Sequence, residues 1–243
     1  MLVRRDHQWP RALMLLAFAC GACAPVGNQS QGGLESQPGV VLIVHKGDAD
    51  AAQVRRDVQE VVAAAAHEGA RLEVYALDSG SAASMSQVPL SDRANSGNLV
   101  LTGENRAYRD QEALRYTELV MRDLDPLLDT AASSPTGSDL MGAVDFGVTA
   151  VDSLPGDGPA TVSVITGGGV HRTGALDLVA AEVSPENAGQ VAAEVEPLDV
   201  PADVVVELRG VGRFEGATPP VDPRFAAGVR AFWEALCRRC VLH

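Results

Sequence analysis

The amino-acid sequence predicts an α/β fold: a doubly wound, mainly parallel sheet with helices on both faces. Two short apolar runs, at residues 40–44 and 160–166, are typical of strands buried on both faces of a sheet. Longer stretches with helical periodicity, at residues 51–67 and 104–125, lie between predicted strands. Because strand and helix patterns alternate along the chain, we expect helices to connect parallel strands.

The first strand and the first helix are predicted from adjacent segments. Residues 39–44 form the strand, and turn residues separate it from the helix at residues 51–67. One face of this helix is apolar and carries Val54, Val58, Val61, Val62 and Ala65. Asp48 or Asp50 is a suitable N-cap, and Gly69 is expected to end the helix.

The next segments predict a second strand and a second long helix. Residues 71–77 alternate between polar and apolar side chains, as strands do. Residues 78–97 are rich in Ser, Ala, Asn and Gly, so we expect a loop there. Residues 98–102 fit either a short strand or the approach to the helix at residues 104–125.

The second half of the chain continues the alternation. Its predicted elements are a loop at 131–137, a helix at 138–153, a strand at 160–166, a helix from 184, a strand at 203–208 and a helix at 222–237. Ser184 followed by Pro185 is a strong signal for a helix start, with the serine as N-cap. Asp222 followed by Pro223 predicts the start of the last helix.

The N-terminal segment has the features of a targeting signal. Arg4, Arg5 and Arg11 precede an apolar run at residues 12–19, which is too short for a stable membrane-spanning helix. Small residues and two cysteines follow. The segment resembles a bacterial lipoprotein signal peptide, in which a cysteine after a small residue receives the lipid and becomes the new N-terminus.

This resemblance implies a division of the chain into three parts. Residues 1–22 are the signal peptide, residues 23–38 are a flexible tether rich in Gly, Ser and Gln, and residues 39–243 are the folded domain. Cys23 is the expected lipidation site and Cys20 the alternative; an ordinary cleaved signal with incidental cysteines is the other interpretation. The expected location is the outer face of the cytoplasmic membrane.

The charge of the chain limits its expected partners. The formal net charge is −13 at pH 7, and the pI is about 4.7. An acidic surface repels nucleic acid and anionic lipid headgroups, so neither is an expected partner. Contact with the membrane is therefore expected through the lipid anchor only.

Three short segments indicate a family. They are residues 45–49 (His-Lys-Gly-Asp-Ala), residues 137–143 (Gly-Ser-Asp-Leu-Met-Gly-Ala) and residues 165–168 (Ile-Thr-Gly-Gly). In this order they resemble the loops of the von Willebrand factor type A domain, a Rossmann-like fold, and in particular those of exported actinobacterial lipoproteins. The resemblance covers residues 39–236. In that family the loops hold a divalent metal through oxygen ligands, and an open metal position takes a partner's carboxylate.

The first of these loops departs from the family pattern. His45 stands where the family has an aspartate, and Gly47 and Ala49 stand where it has serines. Asp48 or Asp50 would have to supply the missing carboxylate through a shifted loop.

The other two loops keep only part of the pattern. Ser138 stands for the family's threonine, and Asp139 follows it as in the family. Gly167, after Thr166, takes the place of the aspartate of the third loop. The resemblance therefore implies a degenerate adhesion site, and we expect no metal and no cofactor.

The function favoured by these observations is a non-catalytic, membrane-anchored binding or scaffold module. Its expected partner is a protein or peptide in the cell envelope. The expected contact surface consists of the loops at residues 45–50, 136–139 and 167–172, by analogy with the family.

Two other functions stay open. An exported enzyme would use His45 and His171, which both follow predicted strands, for acid–base chemistry together with Asp48 or Asp50. A metal-dependent adhesion module would need one of the same aspartates to rebuild the metal site.

The last two cysteines, Cys237 and Cys240, are separated by two arginines. In an exported protein a local structural disulfide is the favoured interpretation. A redox pair is less favoured, because the pair follows a predicted helix and the negative end of the helix dipole raises a thiol pKa, although Arg238 and Arg239 oppose this effect. A zinc site would need further ligands, and only His243 is close in sequence.

Overall fold

A six-stranded sheet is the central feature of the computed structural model. The structure describes residues 37–45, 51–77, 85–91, 106–129, 138–154, 158–173, 176–214 and 220–243. The strands in these ranges are β1 Gly39–Val44, β2 Arg71–Leu77, β3 Met85–Gln87, β4 Ala160–Gly168, β5 Arg172–Thr173, β6 Leu176–Asp177, β7 Val204–Val211 and β8 Cys240–Leu242. The helices are α1 Ala51–Glu68, α2 Arg106–Asp129, α3 Leu140–Val151, α4 Ala188–Ala192 and α5 Pro223–Leu236.

The strand order in the main sheet is β3-β2-β1-β4-β7-β8. All neighbouring pairs are parallel except β2 and β3, which are antiparallel. Strands β5 and β6 form a separate antiparallel pair. The predicted fold class, an α/β fold with a mainly parallel sheet, is confirmed. None of the described helices is long and apolar enough to cross a bilayer.

Both faces of the sheet are covered by helices. On one face, α1 and α2 pack their apolar sides against the even-numbered residues of β1, among them Leu42 and Val44. On the other face, α3 and α5 pack against the odd-numbered residues Val41 and Ile43 and against Val162. Since successive side chains of a strand point to opposite faces, a run of consecutive apolar residues supplies both interfaces.

The start of the domain is tied to neighbouring elements. The predicted tether ends with Gln37 and Pro38, and both contact the sheet region. The side-chain amide of Gln37 donates to the carbonyl oxygen of Gly69 at 2.6 Å, and the amide of Arg71 donates to the carbonyl oxygen of Pro38 at 2.8 Å. These two residues therefore belong with the folded part of the chain.

Helix α2 runs further than its predicted end. It continues to Asp129 with Pro126 inside it, although proline lacks the amide that an inner helical turn needs. Leu124 and Leu128, on either side of the proline, are buried against α1 and the sheet. Burial of these side chains compensates for the lost hydrogen bond.

Several strands were absent from the sequence prediction. β3 lies within the segment predicted as a loop at residues 78–97, and the β5–β6 pair lies between the strand predicted at 160–166 and the helix predicted from 184. β8 follows the last helix and pairs with β7. Strands β4 and β7 also continue beyond their predicted ends, to Gly168 and Val211. The short edge strands have too few residues for a periodic signal and depend on a partner strand.

The prediction of a helix starting at Ser184 was wrong. Residues 185–187 form turns, and the short helix α4 begins at Ala188. The side-chain oxygen of Asn187 accepts the amide of Ser184 at 2.7 Å, so this residue closes a turn onto the serine. Helix α5, in contrast, starts where it was predicted: Asp222 is its N-cap and accepts the amide of Arg224 at 2.8 Å.

The last described segment links α5 to the sheet. Cys237 and Cys240 form a disulfide with their Cα atoms 5.3 Å apart. Cys237 ends the helix, and Cys240 begins β8. The disulfide therefore closes the turn that brings the chain back to the edge of the sheet.

Candidate functional site

The centre of the sheet contains a topological switch point. Strands β1 and β4 are neighbours, yet the chain leaves β1 towards β2 and leaves β4 towards β7, in opposite directions. Open α/β sheets bind ligands outside the carboxyl ends of the strands at such a point. Around this position lie the residues that we call the strand-end rim: His45, Ser138, Asp139, Thr166 and His171.

His45 directly follows β1. Its backbone amide donates to the carbonyl oxygen of Ile165 on β4 at 2.8 Å, so the pairing of β1 and β4 extends by one residue. The residue is only 8% exposed. The predicted site residues Gly47, Asp48 and Asp50 lie outside the described residues.

Ser138 and His171 form a parallel β-bridge. The amide of Arg172 donates to the carbonyl oxygen of Ser138 at 3.1 Å. This bond ties the start of α3 to the segment that follows β4. Both Ser138 and His171 are buried, so the structure brings two residues from separate loops together beneath the surface.

The imidazole of His171 is held from one side. Its Nε2 lies 3.1 Å from the hydroxyl oxygen of Thr173, and its Nδ1 has no hydrogen-bond partner among the described residues. Burial lowers the pKa of His171 below its ordinary value, while the negative charges of Asp139 and Asp177 act in the opposite direction. The neutral form of the imidazole is therefore favoured.

Asp139 is the N-cap of α3. Its carboxylate accepts the amide of Gly142 at 2.9 Å, and its backbone carbonyl accepts the amide of Ala143 at 2.9 Å. Burial is the main cause that raises the pKa of Asp145 on the same helix, and the negative charges of Asp139 and Glu196 add to this rise. The carboxylate of Asp139 therefore caps the helix and also opposes the ionisation of Asp145.

Thr166 and Gly167 lie inside β4, whereas the sequence predicted that the strand ends at Thr166. The Thr166 hydroxyl accepts the amide of Gly169 at 3.2 Å, and the residue is 3% exposed. The strand register shifts between Ile165 and Gly168, where β4 pairs with β7. An irregularity at this point lets the chain turn away while the hydroxyl stays buried.

The glycine-rich end of β4 is shaped by residues that the sequence analysis did not identify as part of the site. The indole Nε1 of Trp233 donates to the carbonyl oxygen of Gly169 at 2.7 Å. A Cβ at Gly168, whose φ is +94°, would lie 2.3 Å from the ring of Phe214. At Gly210, a Cβ would lie 2.1 Å from the carbonyl oxygen of Thr166. The closely spaced Gly210 and Gly212 were a signal in the sequence that two backbone segments approach closely here.

The strand-end rim contains two imidazoles, His45 and His171, and one carboxylate, Asp139. Within the described ranges, the chain contains no group of three or more His, Cys, Asp and Glu side chains that would hold a metal ion. His45 and His171, the residues of the enzyme hypothesis, are both buried. The hydrogen bonds of the rim fix the backbone and the start of a helix.

The chain matches no protein-family model and no curated protein.

Proposed function

We propose that this protein is a non-catalytic binding module of the cell envelope, whose protein or peptide partner docks on the strand-end rim. The observation that carries this proposal is the burial of polar side chains at a topological switch point. His45, Ser138, Thr166 and His171 are at most 8% exposed. Side chains buried to this extent do not meet a substrate in this conformation, so a partner would contact the surface around them.

The backbone of the rim favours binding for a second reason. Hydrogen bonds join His45 to Ile165, Arg172 to Ser138 and Gly169 to Thr166. They hold the described part of the rim in one arrangement. A preorganised surface loses less conformational entropy when a partner docks. A binding module with a fixed rim is therefore consistent with these contacts.

The proposal includes a von Willebrand factor A-like identity and a lipid anchor. Support for the identity comes from the order of the three loops, on an α/β fold that many families share. Support for the anchor comes from the N-terminal sequence alone. Metabolic labelling with a radiolabelled fatty acid tests the anchor: the wild-type chain and Cys20→Ala are expected to take up label, and Cys23→Ala is expected to lose it. Equal labelling of all three chains would contradict the assignment.

Site-specific photocrosslinking tests the docking surface. A photoreactive amino acid is placed at Met141 or Arg172, which lie close to rim residues in the chain, and at Ala202 or Asp203 near the amino end of β7 as a matched control. The full chain in its native envelope is expected to give one discrete crosslinked species from the rim positions and none from the controls. Equal crosslinking from both sets, or none from either, would overturn the surface assignment.

A metal titration separates this proposal from metal-dependent adhesion. Thermal unfolding of the full chain is compared in 1 mM Mg²⁺, Mn²⁺ or Ca²⁺ and in chelator. A site with a Kd of about 10 μM would stabilise the fold by about 2.7 kcal/mol at 1 mM metal. We expect no shift. A clear shift would mean that a carboxylate of the first loop rebuilds the site.

A further inference from the structure

A wide groove lies at the opposite end of the sheet from the strand-end rim. It is bounded by α4, the segment that follows it, and the C-terminal turn of α5, and its volume is about 870 Å³. Helix α5 returns from the carboxyl end of β7 to the edge strand β8, so its C-terminus lies near the amino ends of the strands. We call this feature the α4–α5 groove.

The walls of the α4–α5 groove are formed by small and apolar residues. They are Gly189, Ala192, Ala193, Val195, Pro197, Leu198, Ala235 and Leu236. A Cβ placed on Gly189 would meet no heavy atom within 4 Å, so the space beside α4 is open. Small-molecule sites have volumes of about 300–1,000 Å³ and mostly apolar walls, and the groove falls within this range.

The charged residues that line the groove are Arg238 and Arg239. The guanidinium of Arg239 donates to the carbonyl oxygens of Val200 and Ala202 at 3.0 and 3.2 Å, so it fixes one wall. Arg238 is exposed, and within the part of the chain that the structure describes it has no hydrogen bond or ion pair. The disulfide between Cys237 and Cys240 closes the turn that carries both arginines.

The charge of the groove is opposite to that of the chain. The whole sequence has a net charge of −13, yet both charged side chains that line the groove are cationic. Glu194 and Glu196 lie close in sequence, but neither lines the groove. An occupant that complements these walls has an apolar body and one negatively charged end.

We propose that the α4–α5 groove binds an aliphatic monocarboxylate. Its alkyl chain lies along Ala192, Leu198 and Leu236, and its carboxylate accepts hydrogen bonds from the guanidinium of Arg238. A guanidinium suits this role because its planar set of donors matches the two oxygens of a carboxylate. This site is separate from the strand-end rim, so a negative result for one proposal does not affect the other.

Isothermal titration calorimetry of the full chain with decanoate, kept below its micelle concentration, tests the proposal. We expect saturable binding of one decanoate per chain. Octanoate, which has two methylene groups fewer, is expected to bind about four- to fifteenfold more weakly, because each buried methylene contributes up to about fourfold in Kd. Decanol, which has no charge, is expected to bind about fivefold more weakly than decanoate, as an exposed ion pair contributes modestly.

Three variants locate the site. Arg238→Gln should weaken decanoate to the affinity of decanol, and Arg230→Gln, an arginine of α5 that does not line the groove, should leave the affinity unchanged. Gly189→Phe should fill the groove and abolish binding, while Gly189→Ala should retain it. Ala193→Leu provides a second blocking variant should Gly189→Phe fail to fold, as judged by circular dichroism.

Specific results would overturn the proposal. These are the absence of saturable binding, equal affinity for decanol and decanoate, or unchanged affinity in a folded blocking variant. Binding that persists in Gly189→Phe or in Ala193→Leu would place decanoate elsewhere on the chain.

Discussion

Two regions on the same face of the sheet differ in the space that surrounds a helical glycine. Helix α3 packs tightly: a Cβ on Gly147 would lie 2.4 Å from a methyl carbon of Val162. On α4, Gly189 lies on the exposed side, and a Cβ there would meet no heavy atom within 4 Å. Both glycines lie inside helices, so it is the neighbouring atoms that distinguish them.

The two regions also differ in the exposure of their polar side chains. Near α3, the side chains of His45, Ser138 and His171 are buried. Near α4, Arg238 is exposed beside an apolar groove. Polar groups buried at the strand-end rim stabilise one backbone arrangement, whereas an exposed cation beside open apolar space remains available to a ligand. An accessible side chain of this kind can bind a small molecule directly, whereas the buried rim side chains act by holding the backbone to which a larger partner docks.

The largest expected effect concerns Trp233 of α5, which contacts the glycine-rich end of β4. Trp233 is fully buried, stacks edge-on against Phe232 and donates its indole hydrogen to Gly169. Replacement by alanine is expected to lower the free energy of unfolding by about 3–5 kcal/mol, because it leaves a cavity and an unpaired carbonyl. Urea denaturation measures the loss. Trp233→Phe, which keeps an aromatic ring, should lose less, and an alanine variant within about 1 kcal/mol of wild type would contradict the packing described.

A smaller effect is expected where α3 meets β4. Gly147→Ala would push a methyl group against Val162 and Ile43. Overpacking of this kind costs about 1–3 kcal/mol, which exceeds the gain of up to about 1 kcal/mol from replacing a helical glycine. We expect a net loss of stability in urea denaturation. Stabilisation by Gly147→Ala would show that α3 can move away from the sheet.

The pH dependence of stability tests the burial of His171. Burial lowers its pKa in the folded state, with Asp139 and Asp177 opposing the shift. The unfolded chain then binds more protons below the ordinary pKa of 6.5, so stability is full above this value and falls as the pH drops below it.

The measurement for this prediction is urea denaturation between about pH 7 and about pH 5, a window above the titration of ordinary carboxylates. His171→Gln should flatten the decline relative to wild type. His67→Gln, at an exposed position of α1, is the matched control and should keep the decline. An unchanged slope in His171→Gln would show that this imidazole does not drive the pH response.

The smallest effect is expected at Gly189, beside the α4–α5 groove. Gly189→Ala adds a methyl group where nothing lies within 4 Å, and alanine favours the helical conformation. We expect the free energy of unfolding to rise by at most about 0.5–1 kcal/mol. The opposite signs of Gly147→Ala and Gly189→Ala, measured under the same conditions, are the direct comparison of the two regions. A loss of stability in Gly189→Ala would contradict an open groove.

Local patterns were sufficient for the main elements of the fold. Consecutive apolar residues at 40–44 predicted a central strand, and the 3.6-residue period of α1 predicted its buried side. Asp222 before Pro223 predicted the start of α5. These signals succeed because each depends on a few neighbouring residues whose burial or capping is the same in most folds.

The candidate site was predictable only in part. The sequence indicated that His45, Ser138, Thr166 and His171 follow or begin elements, and the carboxyl ends of parallel strands meet at one edge. The bridge between Ser138 and His171 could not be foreseen, because it depends on the path of the chain after β4. The burial of the imidazole likewise depends on segments that are distant in sequence.

Contacts between distant segments account for the remaining differences. Pro126 lies inside a helix because Leu124 and Leu128 are buried on either side of it, and β8 exists because β7 offers an unpaired edge. The α4–α5 groove arises from small residues on two elements that meet only after folding. A chain segment carries its own periodicity and capping signals, and these suffice for the strands and helices of the core. Which edges pair, which polar groups are enclosed and where space is left open depend on partners far along the chain, because those contacts form between elements and not within them.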